Sequence, residues 1–248
     1  MFVDVHAHLD FPEFEKDLEE VIEKAKKIGV IAIVNCGVNI ESNRKTIELA
    51  KKYDIVKPAL GIYPTYVTEL TEEEFEREIE FILKYKPFAI SEVGLDFKES
   101  NKIKEQKDRF QKFIEIAEKL NVPIVVHSRK AENEVYEMIK SSNLKKVVMH
   151  CFMGKLKLAK KIEEEGWLFS IPPIINHSLH FQELVKRIAL NSILTETDSP
   201  FLSHIKGERN TPLNVVVVVE KIAELRGLNK EEVKNIIFMN YKRVFEEK

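Results

Sequence analysis

The sequence predicts an α/β fold, a (β/α)8 barrel, on three observations. Short β-prone runs alternate with helical patterns eight times, the links between them are short, and 248 residues is a length that one such barrel fills. An open doubly wound sheet is the alternative, disfavoured because no glycine-rich phosphate fingerprint follows the first strand. No linker or low-complexity stretch interrupts the pattern, so residues 1–248 read as one domain.

The first predicted strand, Phe2 to His8, ends in two histidines one residue apart. A helix over Glu13–Ile28 carries Val21, Ile22, Ala25 and Ile28 on one stripe and is closed by Gly29. Val30–Val34 is a continuous apolar run, as expected for a strand buried on both faces, and a helix follows over Glu41–Lys52. The third strand, Ile55–Gly61, leads to a helix opened by a capping box, Thr71 with Glu74, and running to Leu83. Phe88–Glu92 is the fourth strand, followed by a helix over Ile103–Leu120. Strands at Pro123–His127, Lys146–His150, Trp167–Ile171 and Ile193–Asp198 alternate with helices at Glu132–Ile139, Leu156–Glu165 and Phe181–Ala189. Thr211 as cap with Pro212 at the first helical position predicts a helix to Leu225. Asn229 caps an extra C-terminal helix over Lys230–Phe245.

Composition narrows the function classes. With 44% hydrophobic residues the chain can bury a sizeable core. A formal net charge of −2 excludes a global basic field for nucleic acid, so any such substrate must be engaged locally. Two cysteines, Cys36 and Cys151, are too few for a disulfide framework and fit a reducing interior. With no signal peptide visible at the start, a cytoplasmic location is expected. The longest strongly apolar run, Val215–Val219, is far too short to span a bilayer.

Barrel active sites lie at the carboxyl ends of the strands. Those ends read His6 and His8 on the first strand, Glu92 on the fourth, His127 on the fifth, His150 on the sixth and Asp198 on the eighth. Alternate strand residues share a face, so His6 and His8 aim into one volume. Four imidazoles and two carboxylates suit Zn²⁺, Mn²⁺ or similar divalent ions, and they exceed what one four-coordinate ion with an open position needs. Two ions sharing one carboxylate is the economical arrangement, and Glu92 lies between the two histidine groups in chain order. Such a pair activates a bridging water and stabilises both oxygens of an in-line displacement at phosphorus.

The segments Val3–Asp10, Ser91–Asp96, Val126–Arg129, His150–Phe152, Glu196–Pro200 and Arg209–Pro212 together resemble the TatD family of metal-dependent hydrolases. The resemblance implies a TIM barrel with a divalent metal centre and deoxyribonuclease or phosphodiesterase activity on DNA or another diester. It implies one metal ion on His6, His8, Glu92 and Asp198, and a second on Glu92, His127 and His150; Zn, Mn and Mg all suit such a centre. Two departures stand out: Tyr63 replaces a histidine common after the third strand, and Met153 replaces a small hydroxyl residue.

Asp198 and Glu92 are the expected catalytic residues, with Asp198 accepting the proton of the attacking water. Arg129 shares the face of His127 if its strand continues, and its fork suits phosphate oxygens; a salt bridge to a neighbouring loop is the plainer reading. Tyr63, Glu196 and Arg209 are the other expected substrate contacts, Glu196 equally as a residue that orients a ligand and Arg209 equally as a loop-positioning group. Asp96 reads as a loop-fixing residue. A metal-dependent amidohydrolase or esterase on a small-molecule or aminoacyl substrate is the alternative function. No membrane partner is expected, and no feature of the sequence speaks to an oligomeric state.

Overall fold

The computed structural model describes residues 1–247. Eight strands form one parallel sheet in chain order: β1 (Phe2–Ala7), β2 (Val30–Cys36), β3 (Val56–Leu60), β4 (Ala89–Asp96), β5 (Ile124–Arg129), β6 (Val147–Met149), β7 (Leu168–Ile171) and β8 (Ile193–Thr195). The seam between the ends of the sheet is drawn together by individual bonds. Thr195 Oγ1 donates to the Val3 carbonyl at 2.6 Å and Asp198 N to the His6 carbonyl at 2.8 Å. A lone parallel bridge joins Ala7 to Ser199. The result is a nearly closed barrel whose strand ends meet at one mouth.

Among the described residues ten helices surround it: α1 (Leu18–Lys27), α2 (Ile40–Lys52), α3 (Pro64–Val67), α4 (Glu72–Tyr85), α5 (Ile103–Leu120), α6 (Glu132–Lys140), α7 (Leu156–Glu164), α8 (Leu179–Arg187), α9 (Val215–Arg226) and the extra α10 (Lys230–Tyr241). Strands β1 and β4 are buried along their whole length, helix-covered outside and packed inside, which explains their unbroken apolar or ligand-bearing patterns. Among the described residues no helix is long and apolar enough to cross a membrane.

Several expected boundaries shift for local reasons. The first helix begins at Leu18 because Pro12–Phe14 forms a 3-10 turn that plants Phe14 in the core. The capping box of Thr71 and Glu74 is present, and the Asn229 side chain accepts from the Glu231 amide. Thr211 does not cap: Pro212–Asn214 is a 3-10 turn, and α9 starts after it. The β-branched run Val215–Val219 is helical because Val215, Val218, Val219 and Ile222 face the core, so packing overrides propensity. Helix α10 ends at Tyr241 and continues as a π-type turn over Lys242–Glu246.

Strand β4 runs four residues past Glu92, and β5 continues through Arg129, pairing Gly94 with His127 and Asp96 with Arg129. Gly94, at φ 141°, makes this approach feasible, since a Cβ there would lie 2.0 Å from the His127 carbonyl oxygen. Strands β6 and β8 stop early, so His150 and Asp198 sit on the first turns beyond them.

Candidate metal centre

Six side chains converge at the mouth. His6, on β1, and His8, just past it, bring their Nε2 atoms to 3.2 Å from each other. His8 Nδ1 lies 2.8 Å from the Cys36 carbonyl, an atom that only accepts, so Nδ1 donates and Nε2 faces the centre. His8 Nε2 is 3.4 Å from Glu92 Oε2 and 3.4 Å from Asp198 Oδ1; His6 Nε2 is 3.6 Å from each of the same atoms. The other Glu92 oxygen, Oε1, lies 3.1 Å from His127 Nδ1 and 3.8 Å from His150 Nε2. Glu92 therefore turns one oxygen to each histidine pair.

Asp198 takes φ 55°, a left-handed conformation that Asp tolerates, with its amide held by the His6 carbonyl. Its loop is anchored by Asp4, two residues before His6 and fully buried. Asp4 accepts from the Thr197 amide at 2.9 Å and pairs with Thr197 Oγ1 at 2.5 Å. Burial pushes the Asp4 carboxyl up to about 8. Asn210 steadies the same loop from the other side, donating to the carbonyls of Thr197 and Phe201 at 2.7 Å each.

The electrostatics are those of imidazoles facing carboxylates in a buried space. For His8, burial acts to lower the value, but the hydrogen bond to Asp198 and the Glu92 charge outweigh it, pushing it to about 9. His150 likewise rises to about 10 against burial, through Glu196 and then Asp198 and Glu92. His6 is lowered by burial and by the His150 charge, whose ring stacks on it at 3.7 Å. Glu92 and Asp198 are held below the usual carboxylate range: burial opposes this, and the surrounding histidines overcome it.

Donor atoms group into His6, His8 and Asp198, into Glu92, His127 and His150, and into His6, His150 and Glu196, each set within 4.8 Å. This chemistry fits divalent cations: imidazole nitrogens and ionised carboxylate oxygens, buried and mutually directed.

A profile of the family described as TatD related DNase matches residues 3–246. The chain belongs to that family. It is 40% identical over 246 residues to the uncharacterized metal-dependent hydrolase MJ1582 of Methanocaldococcus jannaschii, covering 98% of this chain and 96% of that protein. It is 35% identical over 257 residues to human Deoxyribonuclease TATDN3, covering 98% and 94%. The crystal structure of YJJV, a TatD homolog from Escherichia coli, superposes with a TM-score of 0.92 at 25% identity, over 100% of this chain and 98% of that one.

Within this TatD fold the expected substrate contacts separate. Arg129 does reach the mouth, at the end of β5, with its Nη1 3.1 Å from Glu99 Oε1. Tyr63 also lines it, but its hydroxyl proton is directed at Asp96 Oδ2, 2.8 Å away. Of the two expectations for Glu196 the geometry fits ligand orientation rather than substrate contact, since the side chain is fully buried. Its carboxylate accepts from His150 Nδ1 at 2.7 Å, from Ser170 Oγ at 2.5 Å and from the Cys151 amide at 3.1 Å. Arg209 likewise fits its loop-positioning expectation rather than the substrate contact. It does not line the mouth but pairs with Asp17 at 2.5 Å, bonds the Glu13 carbonyl and lies over Phe14, clasping α1 to the last loop.

The mouth is a cavity of about 600 Å³ with His8, Glu92, His127, His150 and Asp198 at its floor and an apolar rim of Phe11, Tyr66, Met153 and Phe201. Of that rim only Met153 stands out in the sequence; Phe11, Tyr66 and Phe201 carry no motif. Asp96 was read only as a loop-fixing group. Its Oδ1 does accept from the Lys98 and Glu99 amides at 2.9 Å, but its Oδ2 also lies 3.2 Å from His127 Nε2. The remaining histidines stay outside the centre, His180 against the Phe152 carbonyl and His177 against that of His204.

Proposed function

We propose that this chain is a phosphodiesterase acting on DNA or a related diester through two divalent ions, Zn, Mn or Mg, held side by side. The single observation that carries the reading is the division of Glu92, with Oε2 toward His6 and His8 and Oε1 toward His127 and His150. One ion would be held by His6, His8, Glu92 and Asp198, the other by Glu92, His127 and His150. When bound, such a pair supplies an activated water and positive charge opposite the displaced oxygens.

The protein's own groups do the rest. The Asp198 carboxylate, held low in pKa and only partly exposed, accepts the proton of the attacking water and passes it to the leaving oxygen. Arg129 binds a phosphate oxygen from the mouth's edge after leaving Glu99. Glu196 holds the His150 ring, and the buried floor keeps bulk water from the charged groups. The unpaired state of Cys36 and Cys151 supports a cytoplasmic setting, and residues 1–248 are taken as one domain.

The apolar rim and the net charge of −2 favour a second reading, hydrolysis of an amide or carboxylic ester with the same floor. Labelled single- and double-stranded DNA, incubated with each metal and with wild type or Asp198→Asn, separates the two. Metal-dependent cleavage lost in the variant is the expected result. DNA and a small-molecule phosphodiester both left intact by metal-loaded wild type overturn the diester reading and move the assay to amides and esters.

A further inference from the structure

The four imidazoles of the centre are backed differently. His8 Nδ1 donates to the Cys36 carbonyl and His6 Nδ1 lies 3.5 Å from the Cys36 thiol, so one neutral residue stands behind that pair. Behind the other pair stand two carboxylates, Glu196 at His150 Nδ1 and Asp96 at His127 Nε2. His127 is the least enclosed of the four, its side chain 13% exposed, and Glu92, Asp96 and Tyr63 are its polar partners. A ring with so few restraints needs something to decide which nitrogen carries the proton.

We infer that Asp96, steadied by Tyr63, is a positioning residue for His127 and governs the His127–His150 half of the centre without governing the other. The proposal rests on the two-ion reading above. Asp96 is suited to the task because every atom it offers is committed. Its amide donates to Gln106 Oε1 at 2.7 Å and its carbonyl accepts from Gln106 Nε2 at 3.1 Å, fixing the end of β4. Oδ1 closes the turn through the Lys98 and Glu99 amides. That leaves Oδ2, which accepts from the Tyr63 hydroxyl on one side and from His127 Nε2 on the other.

A carboxylate at Nε2 requires the Nε2–H tautomer and so leaves the Nδ1 lone pair facing Glu92 Oε1, 3.1 Å away. Rotating the ring by half a turn would put a donor-poor carbon edge against Asp96 and lose both bonds. The Tyr63 hydroxyl, close to both Asp96 Oδ2 and His127 Nε2 (2.8 and 3.3 Å), holds that oxygen in the ring plane's neighbourhood. Carboxylates placed behind ligating histidines characteristically change metal affinity by about 10–100-fold when removed.

Asp96→Asn is the informative change, because Asn keeps an oxygen for the Lys98 and Glu99 amides and replaces the one acceptor that meets both His127 and the Tyr63 hydroxyl. Calorimetric titration of the metal-free full-length protein with Zn²⁺ should show two binding events in wild type. In the variant one event weakens about 10–100-fold and the other stays put. With ¹⁵N-labelled histidine, Zn²⁺-loaded wild type should show His127 as a single Nε2–H tautomer, a signature that Asp96→Asn loses. Tyr63→Phe, which leaves the turn untouched, should weaken the same event by a smaller factor and serves alone if Asp96→Asn does not fold. Both events weakening equally, or neither changing in the variants, overturns the inference. A single event in wild type overturns it together with the two-ion reading, and is recognisable because it precedes any substitution.

Discussion

Glu196 Oε2, wholly shielded from solvent, lies 2.7 Å from His150 Nδ1. The contact sets the His150 ring so that Nε2 faces Glu92 and Asp198. Glu196→Gln preserves shape but removes the charge and turns one acceptor into a donor, against either the Cys151 amide or Ser170 and His150 together. Metal affinity of the His150 half should fall about 10–100-fold, read by competition with a chelating dye. Unchanged affinity would show that His150 is held by its surroundings alone.

Asp4 makes a stability prediction at some distance from catalysis. It is buried and serves the Thr197 amide, the Thr197 hydroxyl and the His6 amide. Asp4→Ala takes this acceptor from the Thr197 and His6 amides, at a cost of about 1–3 kcal/mol for each one left unsatisfied, while the Thr197 hydroxyl keeps Ser199 Oγ at 2.5 Å. Urea unfolding should show a lower midpoint, and the metal-loaded protein should lose affinity too because the Asp198 loop is released. Asp4→Asn, which keeps an acceptor oxygen for the two amides, should lose less.

Arg129 and Glu99 make opposite predictions from one contact of 3.1 Å. Arg129→Ala should raise KM or lower kcat on a diester while metal content stays the same. Glu99→Gln, which frees the guanidinium, should leave kcat unchanged or lower KM. Steady-state kinetics on one oligonucleotide settles both, and an unaffected Arg129→Ala enzyme removes that residue from the mechanism.

The metal-free centre should hold protons that an ion must displace. His8 and His150 are raised to about 9 and about 10, so both are charged at pH 7 in the absence of metal. Raised folded-state values stabilise the metal-free protein fully below the unfolded imidazole value of about 6.5. That contribution is lost as pH rises through about 9 to 10. Metal affinity moves the other way and strengthens across the same window, with protons released on binding. Calorimetry in two buffers of different ionisation enthalpy measures the release directly; a proton count of zero at pH 7 contradicts this picture.

The barrel was legible because strands buried on both faces must be written as apolar runs, and the ligands are the polar residues that end those runs. His6 and His8 share a face by simple alternation, and Glu92, His127, His150 and Asp198 follow the same logic. What the pattern could not carry is the direction of side chains across long sequence separations. Arg209 lies 192 positions from the Asp17 that holds it, so its preference for α1 over the mouth had no local sign. Glu196 shares the strand-end region with Asp198, but the early end of β8 sends Asp198 to the centre and Glu196 behind His150. Asp96 looked like a turn residue because one of its oxygens is one; the other reaches His127, 31 residues away. Asp4, by contrast, had a signal: a carboxylate at i−2 from His6 lies on the same face.

In the proposed centre Glu92 would join two ions. Elemental analysis of metal per chain, after loading and exhaustive dialysis, tests it with wild type beside Glu92→Gln. Two ions per chain in wild type and loss of both from the variant is the predicted result. One ion per wild-type chain, or a Glu92→Gln protein that still holds two, would contradict it.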